Sequence, residues 1–224
     1  RGSVDPLRAR AVDQRAAGAH PRRRQLIFVH TRQAVSGIAQ GLRSRENTAV
    51  RLRQINIDYD AEHDRLLMRI GTSDGAELRL WLTRRYVKLL WPLLVKLAED
   101  ASPRIRTQAN PEARKALLGL EHEQALARAD FSRPYENKAP ATPLGEAPLL
   151  LSRIQTGHDR NGQPVVALHP SDGQGVTLNL DAVLLHSLCR LLQAAAQKSD
   201  WDIELRLPGS DSRGAPERAQ RTIN

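Results

Sequence analysis

Sliding the chain by 98 positions lays one stretch over another without a gap. Ser73-Asp74-Gly75 falls on Ser171-Asp172-Gly173, and Leu80 and Leu82 fall on Leu178 and Leu180. Leu90, Leu93 and Leu94 fall on Leu188, Leu191 and Leu192. The first copy, Asp64 to Leu97, reads as a hairpin running straight into a long apolar helix. A chain that repeats such a unit is expected to use it twice in its fold.

Alternation supplies the strands. Ile55, Ile57 and Tyr59 alternate with Asn56 and Asp58, and Leu66, Met68 and Ile70 with Arg65, Leu67 and Arg69. Leu78, Leu80 and Leu82 alternate with Glu77, Arg79 and Trp81, a period of two in each case. Gly71 to Gly75 reads as a five-residue hairpin loop, which places Ile70 opposite Ala76 and Arg69 opposite Glu77. The second unit repeats the plan from Pro148, with a strand over 149–156, an Asn161-Gly162 turn, and Val166, Leu168, Val176, Leu178 and Leu180 as inward positions. Trp201, Ile203 and Leu205 read as a closing strand.

Each third strand runs into a capped helix. Thr83 and its counterpart Asp181 are both good N-cap residues. The first helix is apolar over most of its circumference, from Tyr86 to Leu97, so it requires cover on more than one side. Pro92 is expected to kink it. The second helix, over 182–198, carries Leu184, Leu185, Leu188, Leu191, Leu192 and Ala195 on its apolar face, with His186 and Arg190 on a polar stripe. Between the units, Asn110-Pro111 starts a connector helix over about 111–129, with Ala116, Leu117, Leu120, Gln124 and Ala127 at helical spacing.

The expected fold is therefore α+β. Two β-β-β-α repeats (49–100 and 148–208), each an antiparallel sheet backed by one long apolar helix, flank a connector (101–147). Three strands with one helix are marginal alone, so the units pack as one pseudo-symmetric body or dimerise. Residues 1–48 read as a basic disordered or extraneous segment, and 209–224 as a disordered tail.

Charge separates the two parts of the chain. Residues 1–48 hold ten Arg, no Lys and three acids, so most of the net +9 resides there. The remainder is close to neutral. No run approaches the ~20 apolar residues of a membrane helix, and one cysteine, Cys189, excludes an internal disulfide framework. The expectation is a cytoplasmic protein, with an Arg/Ala/Leu-rich composition that points to a bacterial source.

No constellation marks an enzyme. Asp58 to Asp64 alternates acids like the start of a calcium loop, but His63 stands where that loop needs Gly and Arg69 where it needs a carboxylate. His186 and Cys189 stand one turn apart, yet no second cysteine completes a zinc set, and Cys189 maps onto apolar Trp91. Glu121-His122-Glu123 points in three directions on a helix. Phosphate loops, nucleophile elbows and His-Glu-x-x-His are absent. No catalytic residue, metal or cofactor is expected.

The outer face of the first sheet is the candidate surface. With the leucines turned inward, Arg65, Arg69, Arg79 and Trp81 share the opposite face, and Arg84 and Arg85 follow beyond it. Basic groups around an exposed aromatic could hold single-stranded nucleic acid or anchor a protein. They could equally be cross-strand pairs, Arg69 with Glu77 and Arg65 with Trp81. The functional expectation is a non-catalytic interaction or scaffold protein with a protein partner or a homodimer. A nucleic-acid binder using the basic arm and this face is the alternative, and an enzyme with an unrecognised site the third reading.

Overall fold

A computed structural model of the chain describes residues 26–28, 34–36, 50–133, 135–136, 141–172 and 174–209. It is an α+β protein, with a mixed sheet and four helices among the described residues. Six strands carry the sheet: β3 (Val50–Asp60), β4 (Arg65–Thr72), β5 (Glu77–Leu82), β6 (Leu149–His158), β7 (Pro164–Pro170) and β8 (Val176–Asn179). They lie side by side in chain order. Two tripeptides join them, β1 (Leu26–Phe28) along β3 and β2 (Ala34–Ser36) between β3 and β8. So six residues of the basic N-terminal segment belong to the sheet and not to a tail. The rest of residues 1–48 and the residues beyond Gly209, read from sequence as disordered, lie outside the described residues.

The expectation of two separate antiparallel sheets is corrected. β5 and β6 pair in parallel, Leu80 with Leu149 and Trp81 with Leu150, and fuse the two sets of strands into one. The physical reason lies in the connection. Three helices intervene, α1 (Arg84–Ala101), α2 (Pro103–Arg106) and α3 (Pro111–Arg128), and a helical crossover returns the chain in the same direction. The fourth helix, α4 (Ala182–Ala196), follows β8. It packs on α1, α3 and β3, while α1 also touches β6. Inward residues of β3 to β8 and the apolar faces of α1 and α4 form one continuous core.

The three expected caps are present. Thr83 Oγ1 accepts from the Tyr86 N–H at 3.2 Å, Asp181 Oδ1 from Leu184 at 2.7 Å, and Asn110 Oδ1 from Glu112 at 2.9 Å. Each satisfies an N–H that the first turn of a helix leaves without a partner. α1 continues through Pro92, which lies on the exposed side of the helix one turn after exposed Lys88, whose carbonyl loses its usual N–H donor.

The β4–β5 hairpin differs from its expected register by two residues. Arg69 lies opposite Arg79, and Leu67 opposite Trp81. Gly71 belongs to β4, and the turn is only Ser73 to Gly75. Thr72 explains this: its N–H donates to Ala76 O at 2.9 Å, its hydroxyl accepts from the Ala76 N–H at 3.0 Å, and its carbonyl accepts from Gly75 at 3.1 Å. Gly75 then closes the turn at φ 84°, a left-handed conformation in which a side chain is strained. Asp159 to Gly162 (φ 76°) build the same turn between β6 and β7.

Two further expectations fall to burial. Residues 201–205 form no strand, although Trp201 is buried and side-chain exposure alternates to Leu207. On α3 the buried stripe is Leu118, Gly119, His122 and Ala125, and Leu120 faces water. The reason is close approach. A Cβ on Gly119 would stand 2.4 Å from Gly209 O, so the C-terminal segment packs backbone to backbone on this side of α3. Replacing Gly119 by alanine is therefore expected to lower stability by about 1 kcal/mol in urea unfolding, overpacking of about 1–3 kcal/mol outweighing the helix propensity gained. A stabilised variant would show that the segment gives way freely.

Candidate functional site

The Arg–Trp face is largely occupied by the chain itself. Residues following α3 cross over β3, β4 and β5, and each basic side chain in their path finds an internal partner. Arg69 donates to Asn56 Oδ1 at 2.9 and 3.3 Å, and its guanidinium lies 4.8 Å from the centroid of the Tyr135 ring. Arg79 Nε donates to Glu77 Oε1 at 2.6 Å and Nη1 to Glu146 O at 3.3 Å. The expected Arg69–Glu77 pair is thus replaced by Arg79–Glu77 within one strand, as the corrected register requires.

Glu77 is buried and sits at the centre of this arrangement. Its second oxygen accepts from the Tyr135 hydroxyl at 2.5 Å, and its N–H donates to Ala141 O at 2.9 Å. Burial first, and then the Glu77 carboxylate, hold the Tyr135 phenol well above its ordinary range. Gln54 exchanges two hydrogen bonds with the Glu136 backbone, and Glu136 ion-pairs with Arg53. A buried carboxylate stays tolerable only when its acceptor sites are filled, as they are here.

Trp81 is 9% exposed, with the His63 ring 5.1 Å away on one side, so its indole offers no open platform for a base. Arg65 is partly buried opposite Asp60. Of the six residues proposed from sequence, Arg84 and Arg85 alone are exposed. They begin a ridge on α1 that continues through Lys88, Leu89, Pro92 and Lys96, neighbours at three- and four-residue spacing. Leu89 is 52% exposed. Among the described residues Arg84, Arg85 and Lys88 have no ion-pair partner, while Lys96 is 3.6 Å from Asp100.

Three cations in the first turns of a helix oppose its dipole, at a cost of about 0.3–1 kcal/mol each at the very end. No acid stands in that first turn to offset them. Stability does not account for this placement. A surface so arranged can bind anionic groups around an apolar contact.

A second polar feature is internal. His122 of α3 and His186 of α4 bring their Nδ1 atoms to 3.2 Å, with ring centroids 5.2 Å apart at 68°. Both rings are buried, so the expected place of His186 on a polar stripe is corrected. Neutral rings satisfy this contact, one Nδ1–H donating to the other Nδ1. Burial, followed by the neighbouring ring, lowers the His186 pKa to about 4. Burial, followed by Arg190, lowers that of His122, with Glu123 acting in the opposite direction. Sequence offered one signal for this pair: a histidine flanked by leucines on the second helix. Cys189, one turn on, is buried and its thiol is pushed up to about 12, which removes it as a nucleophile.

Among the described residues no three His, Cys, Asp or Glu side chains converge as metal ligands, and no helix is long and apolar enough to cross a membrane. No family model, curated protein or solved structure matches the chain.

Proposed function

We propose that the protein is a non-catalytic interaction or scaffold protein of the bacterial cytoplasm, built from a duplicated β-β-β-α unit, that binds a protein partner through the ridge on α1. The single observation that carries the binding surface is the exposed, unpaired set Arg84, Arg85 and Lys88, held against the helix dipole beside half-exposed Leu89. Charges and apolar side chains placed where they do not stabilise the fold are those expected of a recognition surface.

Support for duplication comes from strand register. Pairs 67–81, 68–80, 69–79 and 70–78 of β4 and β5 become 165–179, 166–178, 167–177 and 168–176 when 98 is added, and these are the pairs of β7 and β8. The caps Thr83 and Asp181 and the first helical residues keep the same offset. The partly buried Val165, Ala167, Thr177 and Asn179 then stand where the first unit has Leu67, Arg69, Arg79 and Trp81.

A nucleic-acid reading is favoured by the seven arginines before Gln25, with Arg84 and Arg85 as its contacts on the folded body. The two readings separate in one experiment. A chain beginning at Leu26, which keeps β1 and β2, and the triple variant R84E/R85E/K88E are compared with the full chain for binding a fluorescent single-stranded oligonucleotide across a salt series. The interaction reading expects the oligonucleotide affinity to fall with the arm and to be indifferent to the ridge. Oligonucleotide binding that survives loss of the arm but falls tenfold in the triple variant would replace it. The triple variant itself is expected to be as stable as the parent or more so, by about 0.3–1 kcal/mol per residue near the helix start. Urea unfolding checks this, and a marked loss would mean that the arginines serve the fold.

A further inference from the structure

Aligned at the 98-residue offset, α1 and α4 bury the same positions along most of their length and differ most at two neighbours. Tyr86, Val87, Leu90, Trp91, Leu94 and Leu97 are buried, as are their counterparts from Leu184 to Ala195. Lys88 and Leu89, however, are exposed, whereas their counterparts His186 and Ser187 are buried. The cover over His186 is α3, whose His122 meets it ring to ring. α1 packs against α4, β6 and α2, and none of these covers Lys88 or Leu89. One helix of the pair therefore carries a third helix on this face, and the other leaves the same face open.

We propose that the open face of α1 is the seat of a helix from an acidic partner protein, docked as α3 docks on α4. The inference rests on the reading of the protein as an interaction module and names its partner's chemistry. Size fits: Arg84 to Lys96 spans about 18 Å at 1.5 Å per residue, the length of three helical turns. Charge selects the sign, since Arg84, Arg85 and Lys88 lack acids of their own among the described residues. The apolar centre selects the class. Leu89 and Pro92 interrupt the cationic line where a phosphate backbone would be served by further cations or an exposed aromatic. One half-exposed leucine is also too little apolar surface for a helix lying in a membrane interface. A partner helix with a small or apolar stripe flanked by Glu and Asp meets both requirements.

The test is selection against the full chain from a displayed library of helical peptides with one face randomised. Binders are recovered, synthesised and titrated by fluorescence anisotropy against the parent chain and against K88E and L89D. Both positions are exposed, so both variants are expected to fold, and circular dichroism verifies it. The expected result is a set of acidic binders with apolar residues at three- and four-residue spacing, each losing at least tenfold in affinity against either variant. Backbone amide shifts on binding should centre on residues 84–96. Acidic binders without helical spacing, held equally by a flexible polyglutamate peptide, would overturn the helix and leave the interaction reading standing. Binders indifferent to K88E and L89D, or shifts mapping elsewhere, would overturn the site. Failure to select any binder would do the same. Ridge-dependent binding of the oligonucleotide in the preceding experiment would remove both readings together.

Discussion

Replacing Trp201 by alanine is expected to lower the free energy of unfolding by about 3–5 kcal/mol, the range for deleting a buried indole. Trp201 is 3% exposed and joins the C-terminal segment to the β3–β4 turn by three kinds of contact. Its apolar surface belongs to the core, its edge meets the Tyr59 ring at 6.0 Å and 84°, and its Nε1–H donates to Asp64 Oδ1 at 2.5 Å. The same carboxylate oxygen accepts from the Tyr59 hydroxyl at 2.9 Å. Asp64 itself sits at φ 49°, in the left-handed region, where these two donors help to hold it. Trp201→Phe keeps most of the burial and loses the indole donor, so it is expected to cost about 1–3 kcal/mol. Urea unfolding followed by circular dichroism measures both. An alanine variant within 1 kcal/mol of the parent would show that residues 201–207 do not dock as described.

The second large effect is on pH. His186 is held at about 4 in the folded chain against an ordinary 6.5, so the unfolded chain takes up its proton first as the solution is acidified. The stability that goes with the neutral buried ring is fully present above about pH 6.5 and is lost as pH falls towards 4. For this ring alone the loss is about 3 kcal/mol, at about 1.4 kcal/mol per pH unit of displacement. His122, also lowered, acts in the same direction. Two protonated rings at 3.2 Å would repel each other, so α3 is the element expected to leave first. Asp60, lowered by its hydrogen bonds with His63, titrates below this window. Urea midpoints between pH 7.5 and 4.5 should therefore fall steeply in the parent and weakly in an H122Q/H186L double variant. Equal slopes in the two proteins would sink the assignment. Amide exchange, corrected for intrinsic rates, should show α3 losing protection before β3 to β8.

Much of this fold could be read from local signals. Thr83, Asp181 and Asn110 announced the three long helices, because a cap is a chemical requirement of the chain end it serves. Alternating leucines located the strands, since period-two burial is a property of one strand alone. What escaped was decided between elements. The parallel pairing of β5 with β6 leaves no mark in either strand, and Thr72 moved a register that counting glycines had placed two residues away. The buried stripe of α3 was misread because Gly119 and His122, neither of them apolar in composition, form its centre. At the candidate site, Arg65, Arg69, Arg79 and Trp81 do share a face of the sheet. That Tyr135, Glu136 and Ala141 would cross it depends on a segment whose own residues carry no period at all. On α1 it is Lys88 and Leu89 that stay exposed for want of a counterpart of α3, whereas the helix start at Arg84 is exposed as Ala182 is on α4.

The parallel seam between β5 and β6 has a kinetic side. It is held by two rungs, and its strands are separated along the chain by three helices, whereas every other pairing among β3 to β8 is a local hairpin. Hairpins close over short loops in microseconds, but the seam forms only after a long loop has surrendered its freedom. Each half can therefore acquire its own strand order before the two meet. Their meeting, by few hydrogen bonds and many leucines, is the slow and cooperative step, and until it occurs the outer edges of β5 and β6 stand open to the wrong neighbour.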